Sequence, residues 1–314
     1  MTDPKVLILA GGLSHERDVS LRSGRRVAEA LREAGCRVME SDLDNRLLTT
    51  LASADIDLVW PLLHGALGED GSVRDVLELA GVAYLGSDPR AARAAWNKAV
   101  AKTLIRRAGL ATPDWVTFPQ SLFRELGASP LLELVSGSLG ADLVVKPLSG
   151  GSALGVTQVS SAEALPQAMM DCFAYGEIAL IERAVAGTEL AVSVIDLGSG
   201  PLALPPVEIV TDGPYDYDAR YNPGRTEFFT PARVTPEVSD AAAAMALSAH
   251  EALGLARISR TDMIVDPSGV PWFLEVNVAP GMQETSLLPQ AAVAGGYELP
   301  ALYRSLVEAS IAKG

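Results

Sequence analysis

The chain alternates short apolar runs with amphipathic stretches, and the alternation predicts most of its elements. Val6-Leu7-Ile8-Leu9-Ala10 is continuously apolar, as expected of a parallel strand buried on both faces. Gly11-Gly12 ends it. A helix follows, with Val27, Leu31 and Ala34 on one face and Gly35 as its stop. The residues from Asp57 to Leu63 read as a strand, those from Ser72 to Leu79 as a helix, and Val82-Ala83-Tyr84-Leu85 as a further strand. Strands alternating with helices predict an α/β layer, and Gly86-Ser87-Asp88-Pro89 marks its end, giving a first unit of 1–89. A second unit, 90–185, opens with a long helix ending near Gly109. It continues with a strand at Leu143-Val144-Val145-Lys146, a Gly/Ser loop, a helix from Ser161 and a strand at Ile178-Ala179-Leu180-Ile181-Glu182. The third unit, 186–314, holds an apolar run from Leu190 to Leu197, a polar stretch from Thr211 to Thr230, an Ala-rich helix from Pro236 to Leu253 and a last helix from Leu299 to Ala312.

Within the third unit, two apolar runs flank the turn signal Asp266-Pro267-Ser268-Gly269, which predicts a β-hairpin. Strand side chains alternate faces, so Arg260 and Asp262 share one face, as do Glu275 and Asn277. Folding at the turn brings Asp262 opposite Glu275, within about one residue of register. Two carboxylates, an amide oxygen and a guanidinium then converge. Hard oxygen donors of this kind suit Mg²⁺ or Mn²⁺ held jointly with substrate phosphates, and an adjacent Arg suits developing negative charge.

Composition narrows the class without naming it. Hydrophobic residues make up 48 % and charged residues 20 %, ordinary values for a soluble globular protein. The net charge of −14 and the lack of a basic stripe argue against a nucleic-acid partner. Cys36 and Cys172 stand alone, without metal-ligand spacing, and are expected as reduced, buried thiols. No apolar run approaches the length of a membrane span and no signal peptide is evident, so a cytoplasmic, membrane-free protein is expected.

Several loops sit where α/β proteins hold ligands, beyond the carboxyl ends of strands. Ser14-His15-Glu16-Arg17-Asp18 follows the first strand; Glu16 is placed to hold a substrate ammonium group, although taken alone it reads first as an acid complementing a helix dipole. His64-Gly65-Ala66-Leu67-Gly68-Glu69-Asp70-Gly71 follows another strand and can line the same crevice. Ser149-Gly150-Gly151-Ser152-Ala153 follows the strand that ends in Lys146. Its glycines let N–H groups approach phosphate oxygens, although the spacing is neither that of a Walker loop nor that of a dinucleotide fingerprint. Tyr215-Asp216-Tyr217-Asp218-Ala219-Arg220-Tyr221 reads as a polar loop able to act as a lid.

Taken in order, these blocks resemble the D-alanine–D-alanine ligase family of the ATP-grasp superfamily over essentially the whole chain. The blocks are Gly11-Gly12-x-Ser14-x-Glu16-x-x-Val19-Ser20, His64-Gly65 with Gly68-Glu69-Asp70-Gly71, Lys146-Pro147 with Gly151-Ser152, Tyr215-Asp216-Tyr217 with Tyr221, Arg260-x-Asp262, and Glu275-x-Asn277 with Pro280-Gly281-Met282 and Ser286-Leu287. The resemblance implies a three-domain ATP-grasp fold and ATP-dependent joining of two D-alanines through an acyl phosphate, for peptidoglycan precursors. It implies that Lys98, Lys146, Gly151, Ser152 and Arg220 serve ATP phosphates, that Glu182, Ala184 and Val185 line the adenine pocket, and that Glu189 meets the ribose. Asp262, Glu275 and Asn277 would hold two Mg²⁺ or Mn²⁺ ions. Glu16 would bind the first D-alanine, in a network with Ser152 and Tyr221. Arg260 and the Gly281 N–H would form an oxyanion site, and His64, Arg220, Ser286 and Leu287 would complete the amino-acid sites. The family also implies a homodimer.

The chain departs from the family's pattern at Arg220, where Lys is usual, and at Ala153, Val278-Ala279 and Gln283-Glu284. By the resemblance these positions lie near the phosphates and the second substrate, so a related ligase with another amino-acid or amine acceptor, in antibiotic biosynthesis or resistance, stays open. Tyr221 stands where relatives making D-alanine–D-lactate typically carry Phe, which argues against an ester product.

Overall fold

The computed structural model describes residues 3–151, 153–211 and 226–312. Three sheets organise it. The first is parallel, β1 (Lys5–Leu9), β2 (Arg37–Ser41) and β3 (Leu58–Pro61), in the order β2-β1-β3. The apolar run predicted at its centre divides by alternation. Val6 and Ile8 join a core with the helices Arg17–Glu33 and Leu299–Ile311, while Leu7 and Leu9 face Leu47, Leu51, Val73 and Leu77 on the other side. Burial on both faces is why the run carries no polar residue. Trp60 meets Tyr303 edge to face at 5.5 Å, tying the last helix to the first sheet.

The second sheet is antiparallel, β4 (Trp115–Pro119), β5 (Leu143–Pro147), β6 (Thr157–Val159) and β7 (Ile178–Arg183), ordered β4-β7-β5-β6. It has its own core, formed by Val145, Ile181 and Ala179 against Leu132, Val135, Ala168 and Met169. The third sheet contains β8 (Thr188–Asp196), β9 (Pro201–Ala203), β10 (Val207–Thr211), β11 (Thr226–Phe229), β12 (Ile258–Val265) and β13 (Pro271–Asn277), in the order β11-β10-β8-β12-β13 with β9 on β8. One face packs on the helix Pro236–Ala252 through Ala242, Met245, Ala246 and Ala249. This mixed architecture agrees with the α/β and α+β reading.

Two predicted elements differ. The long helix up to Gly109 is two helices, Pro89–Trp96 and Lys98–Arg107. Asn97 breaks it: its backbone is extended and its side chain accepts from the Val100 N–H, capping the second helix. Both helices pack Ala91, Ala92, Ala95, Ala101 and Ile105 on the core of the third sheet. The strand expected at Val82–Leu85 shrinks to one bridge, Tyr84 beside Val59, because turns at Gly81 and Gly86 leave no room for more. Cys36 and Cys172 are free and buried, as expected. Among the described residues no helix is long and apolar enough to cross a membrane.

Candidate active site

The hairpin predicted around Asp266 forms in the expected register. Arg260 pairs with Asn277, Thr261 with Val276 and Asp262 with Glu275. The turn holds it in place: the Asp266 carboxylate accepts from the Ser268 and Val270 N–H groups, the Ser268 hydroxyl and the Trp272 ring N–H. Beyond Asp262 the register shifts, so that Met263 faces Phe273. This bulge gives β13 an extra residue. Leu274 and Glu275 both line the cleft, while Phe273 turns into the core.

The cleft lies between the second and third sheets and encloses about 580 Å³. The predicted residues Glu16, Lys98, Lys146, Gly151, Glu182, Ala184, Val185, Glu189, Asp262 and Glu275 all line it. Val144, Val156, Ile264 and Leu274 give it an apolar wall, and the charged groups supply the polar one. Asn277 lies just behind, on a smaller cavity shared with Lys98, Gly150, Gly151 and Glu275. Ser152, Arg220 and Tyr221, with the whole proposed lid, lie outside the described residues.

Charges in the cleft come in compensated sets. Lys98 donates to the Gly150 carbonyl and lies 3.1 Å from the Glu275 carboxylate. Arg260 grips both oxygens of Asp262, at 2.7 and 2.8 Å. Lys146 pairs with one oxygen of Glu182, and Lys102 donates to the other at 2.7 Å. Burial pushes the Glu182 carboxyl up, but Lys146 and Lys102 outweigh it and hold it below its ordinary value. Asp262, Glu275 and Asn277 form a hard-oxygen donor set facing one cavity system, which fits a divalent cation shared with phosphates. Among the described residues no three His, Cys, Asp or Glu side chains form a metal cluster, and the Asn277 amide oxygen accepts from the Ala279 N–H at 2.7 Å.

The N-terminal loops close one end. Ser20 Oγ accepts from the Gly11 N–H at 2.8 Å and donates to the Leu62 carbonyl at 2.7 Å, which explains its place in the first block. Gly65, at φ +81°, sits where a side chain would meet Ser14 and Glu16. Glu69 accepts from the Gly65 N–H at 2.9 Å. Burial, with Glu16 nearby, raises its carboxyl to about 8. Gly281 permits a close approach: a Cβ there would lie 2.7 Å from Ser286 Oγ, which accepts from the Gln283 N–H at 2.9 Å. Leu287 opens the helix Leu287–Ala294 and its side chain belongs to the core.

His64 is buried, with its ring Nε2 3.5 Å from the Ser23 hydroxyl. Burial, with the Arg260 charge adding to it, lowers its pKa from 6.5 to about 4. The unfolded chain therefore binds a proton that the folded chain refuses between these values. The resulting stability is full above pH 6.5 and is lost as pH falls toward 4, on the order of 3 kcal/mol. Urea unfolding at pH 7 and pH 5 should show a larger loss of stability in the wild type than in His64→Gln; His250, also lowered to about 4, and Glu69, raised to about 8, contribute equally to both proteins, so the difference between the two slopes is the His64 share. An unchanged slope in the variant would assign it to other groups.

Sequence reading left Lys102 and Glu69 without roles. The signal for Lys102 is its spacing, four residues after Lys98 on one helix face. For Glu69 it is an acid inside a glycine-flanked block already assigned to the crevice.

Residues 104–308 match the family model described as D-ala D-ala ligase C-terminus. The D-alanine–D-alanine ligase of Nitratidesulfovibrio vulgaris is 41 % identical over 307 residues, covering 97 % of each chain. A crystal structure of the Bacillus anthracis D-alanine–D-alanine ligase complexed with ATP aligns with a TM-score of 0.83 at 28 % identity, over 99 % of this chain and 98 % of that one. The VanG D-Ala:D-Ser ligase of Enterococcus faecalis aligns with a TM-score of 0.86 at 25 % identity, over 98 % of this chain and 100 % of that one.

Proposed function

The chain belongs to the D-alanine–D-alanine ligase family, and on that premise we propose that its cleft joins two D-alanines to D-alanyl-D-alanine with ATP, for peptidoglycan precursors. The observation that carries the reading is the convergence on one cleft of Glu16, Lys146, Asp262 and Glu275, each from a separate block, with Lys98, which the resemblance alone implied. The reading with another acceptor is not favoured, since the relatives matched over the full length are named D-alanine–D-alanine ligases. The 1–89, 90–185 and 186–314 division and a cytoplasmic homodimer belong to the same proposal. C2 dimers are the commonest assembly, and exposed Leu48 and Leu79 on the first unit suit one.

In this reading the first D-alanine's carboxylate attacks the γ-phosphate of ATP and ADP leaves. The second D-alanine's amine then attacks the acyl carbon and phosphate leaves. Lys98 and Lys146 present ammonium groups to the phosphates, so their task is positioning and charge compensation. Glu182, Ala184, Val185 and Glu189 hold the nucleoside. Glu16, with Ser152 and Tyr221, holds the first ammonium, Arg220 and Ser286 frame the amino-acid sites, and buried His64 and Leu287 support them from behind. Arg260 and the Gly281 N–H stabilise the oxyanion at the acyl carbon. Asp262, Glu275 and Asn277 would hold two Mg²⁺ or Mn²⁺ ions, which when bound offset phosphate charge.

The test is ADP release from ATP, Mg²⁺ and D-alanine, with the product identified by mass. D-Alanyl-D-alanine is expected as the dominant product. Turnover only with another D-amino acid or amine would keep the ATP chemistry and overturn the acceptor.

A further inference from the structure

Lys102 takes no part in the roles above, yet its side chain is 0 % exposed and its partner Glu182 only 2 %. Its ammonium donates to Glu182 Oε2 and to Thr112 Oγ1, each at 2.7 Å, and lies 5.1 Å from the centre of the Trp115 ring. Thr112 in turn donates to the Phe273 carbonyl at 2.9 Å, two residues before Glu275 on β13. Lys102 thus joins the helix bearing Lys98, the second sheet and the metal-site hairpin. The other Glu182 oxygen accepts from Lys146. One buried carboxylate therefore serves two ammonium groups, and only Lys146 lines the cleft.

This sharing matters when an anion arrives. Removing one partner from a buried ion pair leaves the other charge uncompensated, which is strongly unfavourable. Were Lys146 the sole cation on Glu182, turning toward a phosphate would strand that carboxylate. With Lys102 present, the carboxylate keeps a cation that never leaves.

We propose that Lys102 is a positioning residue, a resident counter-ion for Glu182 that releases Lys146 to the phosphates of bound nucleotide. The inference rests on the nucleotide reading of the cleft. It predicts that Lys102 matters only while Glu182 is a carboxylate. A merely structural Lys102 would matter equally with or without that charge.

The test is ATP affinity by calorimetry, with Mg²⁺, for the wild type, K102M, E182Q and the double variant. K102M is expected to weaken ATP binding about tenfold, while the same change in the E182Q background shifts it less than about twofold. Wild-type affinity in K102M, or equal weakening in both backgrounds, would overturn the inference. A wild type that binds no ATP would overturn the nucleotide reading and this inference with it. A second measurement needs no Lys102 variant. Burial pushes the Lys102 ammonium down to about 8, against the pull of Glu182 and with Lys146 and Arg106 opposing its charge. Wild-type ATP affinity should therefore weaken as pH rises from about 7 to 9, and more steeply than in E182Q; Glu69, which ionises near 8 beside Lys98, contributes to the slope in both proteins, so the readout is the difference between them. The same slope in E182Q would also overturn the inference.

Discussion

Glu275→Gln is expected to abolish ligation while leaving the fold intact. Glu275 stands opposite Asp262 across the hairpin and faces Lys98 at 3.1 Å. The amide keeps the size of the side chain and can still accept from Lys98, but it loses the charge that a hard cation requires. A divalent ion supplies several kcal/mol of charge stabilisation in phosphoryl transfer, and about 1.4 kcal/mol is tenfold in rate, so kcat should fall by roughly 10³ or more. Mn²⁺ affinity, read directly by electron paramagnetic resonance, should weaken by at least about tenfold. The core on this strand is filled by Phe273 and Val276, so any loss of stability should come only from Lys98 losing its counter-charge, with its bond to the Gly150 carbonyl retained. Wild-type turnover in the variant would remove Glu275 from the metal site.

The Asp262–Glu275 pairing was legible because the turn is short and chemically explicit: Asp266 satisfies four donors, and a hairpin closed that tightly has little freedom of register. The bulge was not legible. Strict alternation puts Phe273, Glu275 and Asn277 on one face, and only the packing of Phe273 under the helix Pro236–Ala252 separates them. Buried strands announced themselves as apolar runs, whereas β2 (Arg37-Val38-Met39-Glu40-Ser41) escaped notice as a largely exposed edge strand. Lys102 escaped for a different reason. A lysine on a helix is solvated by default, and its burial follows from the contact of that helix with Trp115 and Glu182 on a distant sheet. Local pattern identifies elements and ligand-bearing loops. The counter-ion of each buried charge is a long-range property that no spacing encodes.

Arg260→Lys is expected to lower kcat by about 10²–10³, the usual cost of losing one aligned donor to an oxyanion. The guanidinium is fixed before any substrate arrives, since Nε and Nη2 meet the two Asp262 oxygens at 2.7 and 2.8 Å. A fork held at two points presents its remaining N–H groups in a set direction. An ammonium keeps the charge but not that direction. ATP affinity should move less than about threefold, because in the proposed mechanism Arg260 acts where charge develops rather than where the nucleotide rests. Arg260→Met should cost more, and it carries an independent readout in His64. The Arg260 charge helps to depress the His64 pKa to about 4, so removing it should raise that value in an NMR titration, while Lys should largely preserve it. With only three histidines in the chain, the resonance can be assigned by His64→Gln. A parallel loss of ATP affinity and kcat in Arg260→Lys would instead mean that Arg260 shapes the cleft and takes no direct part in the oxyanion site.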